Sequence, residues 1–197
     1  MTVSSHDARL EDVRAHLAAA RLPRAAGAGP DADTLRVAYL DVLKLALCDL
    51  AGAGTTSVGA MADGTVVARE LRGDDVRLRA AGMDWPLHGL TMVGLGRLDD
   101  LQECVEAIVR DGVAGDVIEA GSWRGGASIL MRAALDCLGD GRTVWVADSF
   151  QGFPEAPAPD DGSLDLAAFD FLAVPVEEVR ESFARFGCER GVELVPG

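Results

Sequence analysis

The residues with the clearest chemistry lie in one run, Val117-Ile118-Glu119-Ala120-Gly121-Ser122-Trp123-Arg124-Gly125-Gly126-Ala127-Ser128. A short apolar stretch ends in an acid, and glycines spaced G-x-x-x-G-G then open a helical pattern. Gly121 permits a tight turn and a close backbone approach, while Gly125 and Gly126 let a ligand come near the helix N-terminus. The spacing is not the G-x-G-x-x-G of a dinucleotide site, and no Lys-Ser/Thr follows the last glycine as in a P-loop. A carboxylate beside the turn repels a pyrophosphate and attracts a cation. A second apolar stretch, Val144-Trp145-Val146, leads to Asp148. An acid at that strand tip can accept hydrogen bonds from both hydroxyls of an adenosine ribose. Taken singly, Glu119 and Asp148 read equally well as solvated strand ends. Their placement on adjacent strands, at one sheet edge, favours binding.

S-adenosylmethionine fits this pattern better than a nicotinamide dinucleotide does. It has an adenosine, an α-amino cation and a sulfonium, and no phosphate. A dehydrogenase would also need a Tyr/Lys or His/Asp arrangement that the sequence does not present.

The elements that must position these residues follow from periodicity. Residues 8–22 read as an amphipathic helix with Leu10, Val13 and Leu17 on one face and Pro23 as its stop, and residues 25–30 read as a linker. Asp33 or Thr34 can cap a second helix over Leu35–Leu50, whose stripe is Leu35, Tyr39, Val42, Leu43, Ala46, Leu47 and Leu50. Residues 53–94 show poor periodicity and read as a long loop with short helical pieces, a length usually reserved for function. From Arg97 onward, helices around 97–110, 127–138 and 175–186 alternate with strands at 117–118, 144–146 and 192–195. That alternation means βαβ units and a parallel sheet. The expected fold is α/β, a doubly wound Rossmann-like sheet with helices ahead of it. Residues 1–95 would form the N-terminal helices and a cover, and residues 96–197 the first half of the ligand-binding domain.

Composition narrows the class. Eighteen Lys+Arg against 32 Asp+Glu give a formal charge of −14, which argues against nucleic acid and against a basic membrane-surface helix. A hydrophobic share of 49% is enough for a core. No apolar run approaches the roughly 18 residues of a membrane span, and the N-terminus does not read as a signal peptide. The expectation is a soluble, cytoplasmic protein. Cys48, Cys104, Cys137 and Cys188 lack metal-type spacing and read as buried reduced thiols. His6, His16 and His88 are scattered, and His88 is a weak candidate for a base. Asp160 and Asp161 lie in a Pro-rich loop and read as a solvated turn. The arginines at 69, 72, 77 and 79 alternate with acids and read as a solvated mixed-charge segment.

Several segments together resemble a known family. Asp84-Trp85-Pro86, Thr91-Met92-Val93-Gly94, Arg97-Leu98-Asp99, the run Asp116–Ala127, and Val144-Trp145-Val146-Ala147-Asp148-Ser149-Phe150-Gln151-Gly152 look like the macrocin O-methyltransferases. Those enzymes methylate sugar hydroxyls of macrolide and aminocoumarin antibiotics. The resemblance implies that Glu119, Gly121, Ser122, Trp123, Gly125 and Gly126 surround the methionine part of S-adenosylmethionine. It implies that Asp148 holds the ribose with Ser149 beside it, and that Thr91 and Met92 lie over the cofactor. It further implies a glycosylated small-molecule acceptor and a Mg²⁺ ion held by aspartates after later strands. No residue here matches those aspartates, so catalytic and metal-binding residues are expected beyond Gly197. The chain then reads as a truncated, inactive piece of such an enzyme, the alternative being a non-catalytic cofactor-binding module. An unpaired strand edge makes self-association, and so a homo-oligomer, a further expectation.

Overall fold

The structure is a computed structural model that describes residues 31–52, 54–60, 65–154 and 166–197. The helix expected over residues 8–22, its linker, His6, His16, Asp160 and Asp161 lie outside the described residues. Asp31 starts the first helix, α1 (Ala32–Leu47): the Thr34 N–H donates to its Oδ1 at 2.7 Å. The cap is therefore two or three residues ahead of the expected one, and Asp33 instead pairs with Arg36. The expected stripe also splits. Leu40, Leu43 and Leu47 are buried, but Leu35, Tyr39 and Val42 are exposed. The helix is apolar on more than one side, and Lys44 decides which side turns inward. Its buried ammonium lies 2.5 Å from Asp99 Oδ1 and 3.3 Å from Asp41 Oδ1.

The segment read as a long loop is in fact an antiparallel sheet, β1 (Thr56–Ala60), β2 (Val66–Glu70) and β3 (Trp85–Pro86), in the order β2-β1-β3. Val58 faces Ala68 on one side and Trp85 on the other. All of β2 is exposed, so it shows no apolar–polar alternation to read, and β3 is two residues long and contains a proline. Backbone pairing makes this sheet, and periodicity does not report backbone pairing. After β2 comes a short helix, α2 (Val76–Ala80), carrying Arg79. Arg79 is not solvated as its neighbours suggest. It is 1% exposed, grips Asp84 through Nε at 2.9 Å and Nη2 at 2.7 Å, and donates to Thr55 Oγ1 and to the Cys48 and Thr56 carbonyls.

The regular half follows the expected alternation: α3 (Gly94–Arg110), β4 (Val117–Ala120), α4 (Gly126–Cys137), β5 (Val144–Asp148), α5 (Val176–Phe186) and β6 (Val192–Pro196). The strands are parallel in the order β4-β5-β6, with Glu119 opposite Val146 and Asp148 opposite Pro196. The fold is α/β and Rossmann-like. Val144 and Val146 join Ile129, Leu130 and Leu135 of α4 and Val179 and Phe183 of α5 in one core. The other sheet face is more open, with Ile118 68% exposed and Trp145 and Val195 also accessible. Two short 3₁₀ turns, Leu166–Ala168 and Asp170–Leu172, precede α5. The cysteines are free, as read, but only Cys48 and Cys188 are buried. Burial pushes the Cys48 thiol up to about 12, which makes it inert packing rather than a nucleophile.

Candidate functional site

β4 hands the chain to the glycine turn at the sheet's C-terminal edge. Gly121, Trp123 and Gly125 all have left-handed backbone, at φ +83°, +49° and +82°. The Gly121 N–H donates to the Ala147 carbonyl at 2.8 Å, which fixes the turn to β5. Asp148 does the rest. Its Oδ2 accepts the Ser122 N–H at 2.7 Å and the Trp123 N–H at 3.1 Å, and its Oδ1 accepts the Phe150 N–H at 2.9 Å. A carboxylate has about four acceptor positions. These bonds occupy both on Oδ2 and one on Oδ1, leaving room for one ligand hydroxyl where the strand-tip reading supposed two.

A cavity of about 460 Å³ opens above this turn. Among the expected site residues, Met92, Gly121, Trp123, Asp148 and Ser149 line it. Thr91, Glu119, Ser122, Gly125 and Gly126 are not part of its lining. Thr91 and Ser122 are buried beside the turn, and the Thr91 hydroxyl accepts the Val93 N–H at 3.3 Å. The Ser149 hydroxyl donates to the Gly152 carbonyl and accepts from Gln151, closing the loop after β5. His88 does not border the cavity. Among the described residues no lysine or arginine lines it either.

The glycines divide by physical role. A Cβ on Gly121 would meet nothing within 4 Å, so its side faces open space. A Cβ on Gly125 would lie 3.1 Å from Val179 Cγ1 and 3.3 Å from Phe183, and one on Gly126 would lie 2.5 Å from the Leu90 carbonyl oxygen. The missing side chains of Gly125 and Gly126 thus make room for α5 and for the loop at Leu90, a packing role that the expected room for a ligand did not include.

Glu119 sits at the end of β4, half-buried, and accepts a hydrogen bond from the Ser128 hydroxyl through Oε2. Burial pushes its carboxyl above the ordinary value; Ser128 pulls it down, and the nearby Asp148 charge pushes it up again. A half-desolvated carboxylate of this kind gains from a cationic partner.

Two features were not legible as site residues. Trp85 of β3 lines the cavity and packs against Phe169 and Phe171 at ring-centre distances of 5.4 and 5.3 Å. The Trp123 indole N–H donates to the Phe171 carbonyl at 3.0 Å. Together they hold residues 166–172 over the cavity, where Leu166 and Leu172 complete the wall. Arg124 supplies the other tie. Its Nη1 donates to the Pro86, Leu87 and Gly89 carbonyls, and its guanidinium stacks 4.1 Å from the Trp123 ring. Rare aromatic residues next to the glycine turn and next to Pro86 were the available signal.

Among the described residues no three His, Cys, Asp or Glu side chains converge as a metal site. Among them, too, no helix is long and apolar enough to cross a membrane.

Comparison with known proteins places the chain in a family. The model of the macrocin O-methyltransferase (TylF) family matches residues 38–197. Over 165 residues the chain is 44% identical to 8-demethyl-8-(2,3-dimethoxy-alpha-L-rhamnosyl)-tetracenomycin-C 4'-O-methyltransferase of Streptomyces olivaceus, covering 81% of this chain and 60% of that protein. It is 38% identical to mycinamicin III 3''-O-methyltransferase of Micromonospora griseorubida, covering 81% of this chain and 63% of that protein. The solved structure of the O-methyltransferase NovP superposes with a TM-score of 0.65 at 35% identity, over 85% of this chain and 64% of NovP. The chain thus spans less than two thirds of the length of these relatives. With the matched region running through α1, both sheets and the acid–glycine turn, the chain belongs to the macrocin O-methyltransferase family.

Proposed function

We propose that the chain is the S-adenosylmethionine-binding part of an O-methyltransferase that acts on a sugar hydroxyl of a glycosylated secondary metabolite, in the cytoplasm. The observation that carries this reading is the cavity over the acid–glycine turn. Its described lining is largely apolar and carries no cation, with the half-buried Glu119 below it and one carboxylate position of Asp148 open to it. Its volume lies within the roughly 300–1,000 Å³ typical of small-ligand sites. The names of the relatives support the acceptor class. S-adenosylmethionine supplies an electrophilic methyl group when bound; this chain's residues hold and orient it. Gly121 lets the ligand approach the backbone, Asp148 takes one ribose hydroxyl, and Trp85, Trp123, Leu166 and Leu172 exclude water. Glu119 faces the α-amino cation from beneath the turn. Within residues 1–95, the segment that carries Trp85 and Met92 acts as the cover, since both reach the cavity.

Proton removal from an acceptor is a separate matter. Among the described residues that line the cavity, Asp148 is the one with an ionisable side chain, and backbone donors already hold it. That favours a second reading in which the described residues bind and orient the donor without acting as the base. Magnesium remains an implication of the family resemblance, and the described side chains do not fit a metal, so no step is routed through one.

Replacing Asp148 by Ala is expected to weaken S-adenosylhomocysteine binding by about 1–3 kcal/mol, because a charge-assisted bond is lost and the turn loses its acceptor. Titration calorimetry reads this directly. Unchanged affinity would remove Asp148 from the site and with it the cofactor reading of the cavity.

A further inference from the structure

We infer that Ser128 is a positioning residue that aims the Glu119 carboxylate at the cationic end of the ligand. The inference rests on the cofactor reading above and deepens it. Ser128 lies in the first turn of α4 and is 0% exposed. A buried hydroxyl must find a partner, and a serine inside a helix commonly finds one on its own helix, four residues back. Ser182 in α5 does this, donating to the Glu178 carbonyl at 2.9 Å. Ser128 does not. Its hydroxyl leaves the helix and donates across to Oε2 of Glu119 on β4.

The crossing depends on how closely α4 is seated. Gly126 lets the helix start in contact with the Leu90 carbonyl, where any side chain would collide, and the Gly126 N–H donates to that same oxygen at 3.0 Å. With Oε2 fixed from the helix side, rotation of the carboxylate is restrained and its other oxygen is directed by that restraint. The Ser128 hydroxyl, and after it the Ser128 N–H that an alanine would keep, oppose the burial that disfavours the charged form of Glu119, whereas Asp148 on the neighbouring strand acts with burial. Among the described side chains, Ser128 and Asp148 are the two that act on Glu119, and only Asp148 is charged. A ligand that carries an ammonium needs Glu119 ionised, so Ser128 extends the pH range over which the site accepts it.

The test uses the 197-residue chain and S-adenosylhomocysteine, which keeps the α-amino cation, titrated by calorimetry from about pH 5 to pH 8. Ser128→Ala removes one oxygen and installs the best helix former, and circular dichroism checks that α4 persists. Binding at neutral pH is expected to weaken about three- to tenfold, and the acid-side midpoint of binding to rise by about half to one pH unit. A role confined to packing would not move that midpoint. Glu119→Gln, run alongside, should weaken binding and abolish the acid-side transition. If Glu119→Gln does so while Ser128→Ala keeps the wild-type midpoint, the positioning role is overturned and the cofactor reading stands. If Glu119→Gln changes neither affinity nor pH dependence, the assignment of Glu119 to the ligand cation fails, and the role of Ser128 fails with it.

Discussion

The two sheets that meet at the cavity are held together by different forces. The antiparallel sheet β2-β1-β3 has little apolar area to bury: β2 is exposed throughout, and Val58 is the buried valine of β1. Its anchor is the buried guanidinium of Arg79, which ties α2, β1, the Asp84 carboxylate and the end of α1 into one polar knot. The parallel sheet is the reverse. Val144, Val146 and the inner faces of α4 and α5 form a continuous apolar core, and its polar bonds at the C-terminal edge serve the turn. The contrast indicates where each half is vulnerable. A polar knot fails when one charge is removed, and an apolar joint fails when volume is added.

Arg79→Ala should therefore produce the largest effect. It would leave the buried Asp84 carboxylate without its cation and Thr55 without its donor, at a cost of about 3–5 kcal/mol. Urea unfolding followed by circular dichroism measures it. Ligand affinity should fall too, because Trp85 and the carbonyls gripped by Arg124 belong to the same sheet and its following loop. A loss below about 1 kcal/mol would show that the sheet does not depend on the knot.

Adding volume at the joint comes next, and the glycines allow a matched pair. Gly126→Val drives a side chain into the Leu90 carbonyl and should destabilise the chain by about 1–3 kcal/mol. Gly121→Ala meets no neighbour and carries only the strain of its positive φ, about 1 kcal/mol. It should instead lose ligand affinity out of proportion to stability. Melting curves and calorimetry on both variants separate the roles. The opposite assignment, with Gly121 limiting stability and Gly126 limiting binding alone, would break the division proposed for the turn.

The same contrast explains what was legible beforehand. The βαβ half announces itself because each strand is a short apolar run closed by a glycine or an acid, and each helix carries a 3.6-residue stripe; all six elements fall within a few residues of their expected places. The antiparallel sheet is silent because its strands are defined by backbone pairing, and Arg79 looks like one more surface charge until Asp84 is seen beside it. The tip acids and Gly121 were readable from spacing alone. What spacing could not show is that Asp148 also holds the turn, or that Gly125 and Gly126 answer to Val179, Phe183 and Leu90. Those reasons lie in tertiary contacts with residues that carry no local mark.

The smallest expected effect is the most diagnostic of function, and it concerns Glu119. Burial raises its folded-state carboxyl above the ordinary value of 4.5. The native state then holds the proton more tightly than the unfolded chain does, so an ionised Glu119 opposes folding. That penalty is complete above the folded-state value. It shrinks as pH falls through that value, and it vanishes below about 4.5, where both states are protonated. Glu119→Gln keeps the shape and can still accept from Ser128, but it never ionises. The variant should be slightly more stable than the parent at neutral pH, with the gain fading on acidification. Asp116 should behave oppositely: held down by hydrogen bonds from Trp145 and Thr143, it adds stability that is lost as pH falls through its lowered value. Parallel urea titrations of parent, Glu119→Gln and Asp116→Asn from about pH 2 to pH 8 would expose the two opposite slopes, that of Asp116 below about pH 4 and that of Glu119 above about 4.5. A Glu119→Gln variant less stable than the parent at neutral pH would mean that the carboxylate earns its place by holding the fold. A more stable one that binds ligand poorly would mean the chain keeps this acid, against its own stability, for the cation it receives.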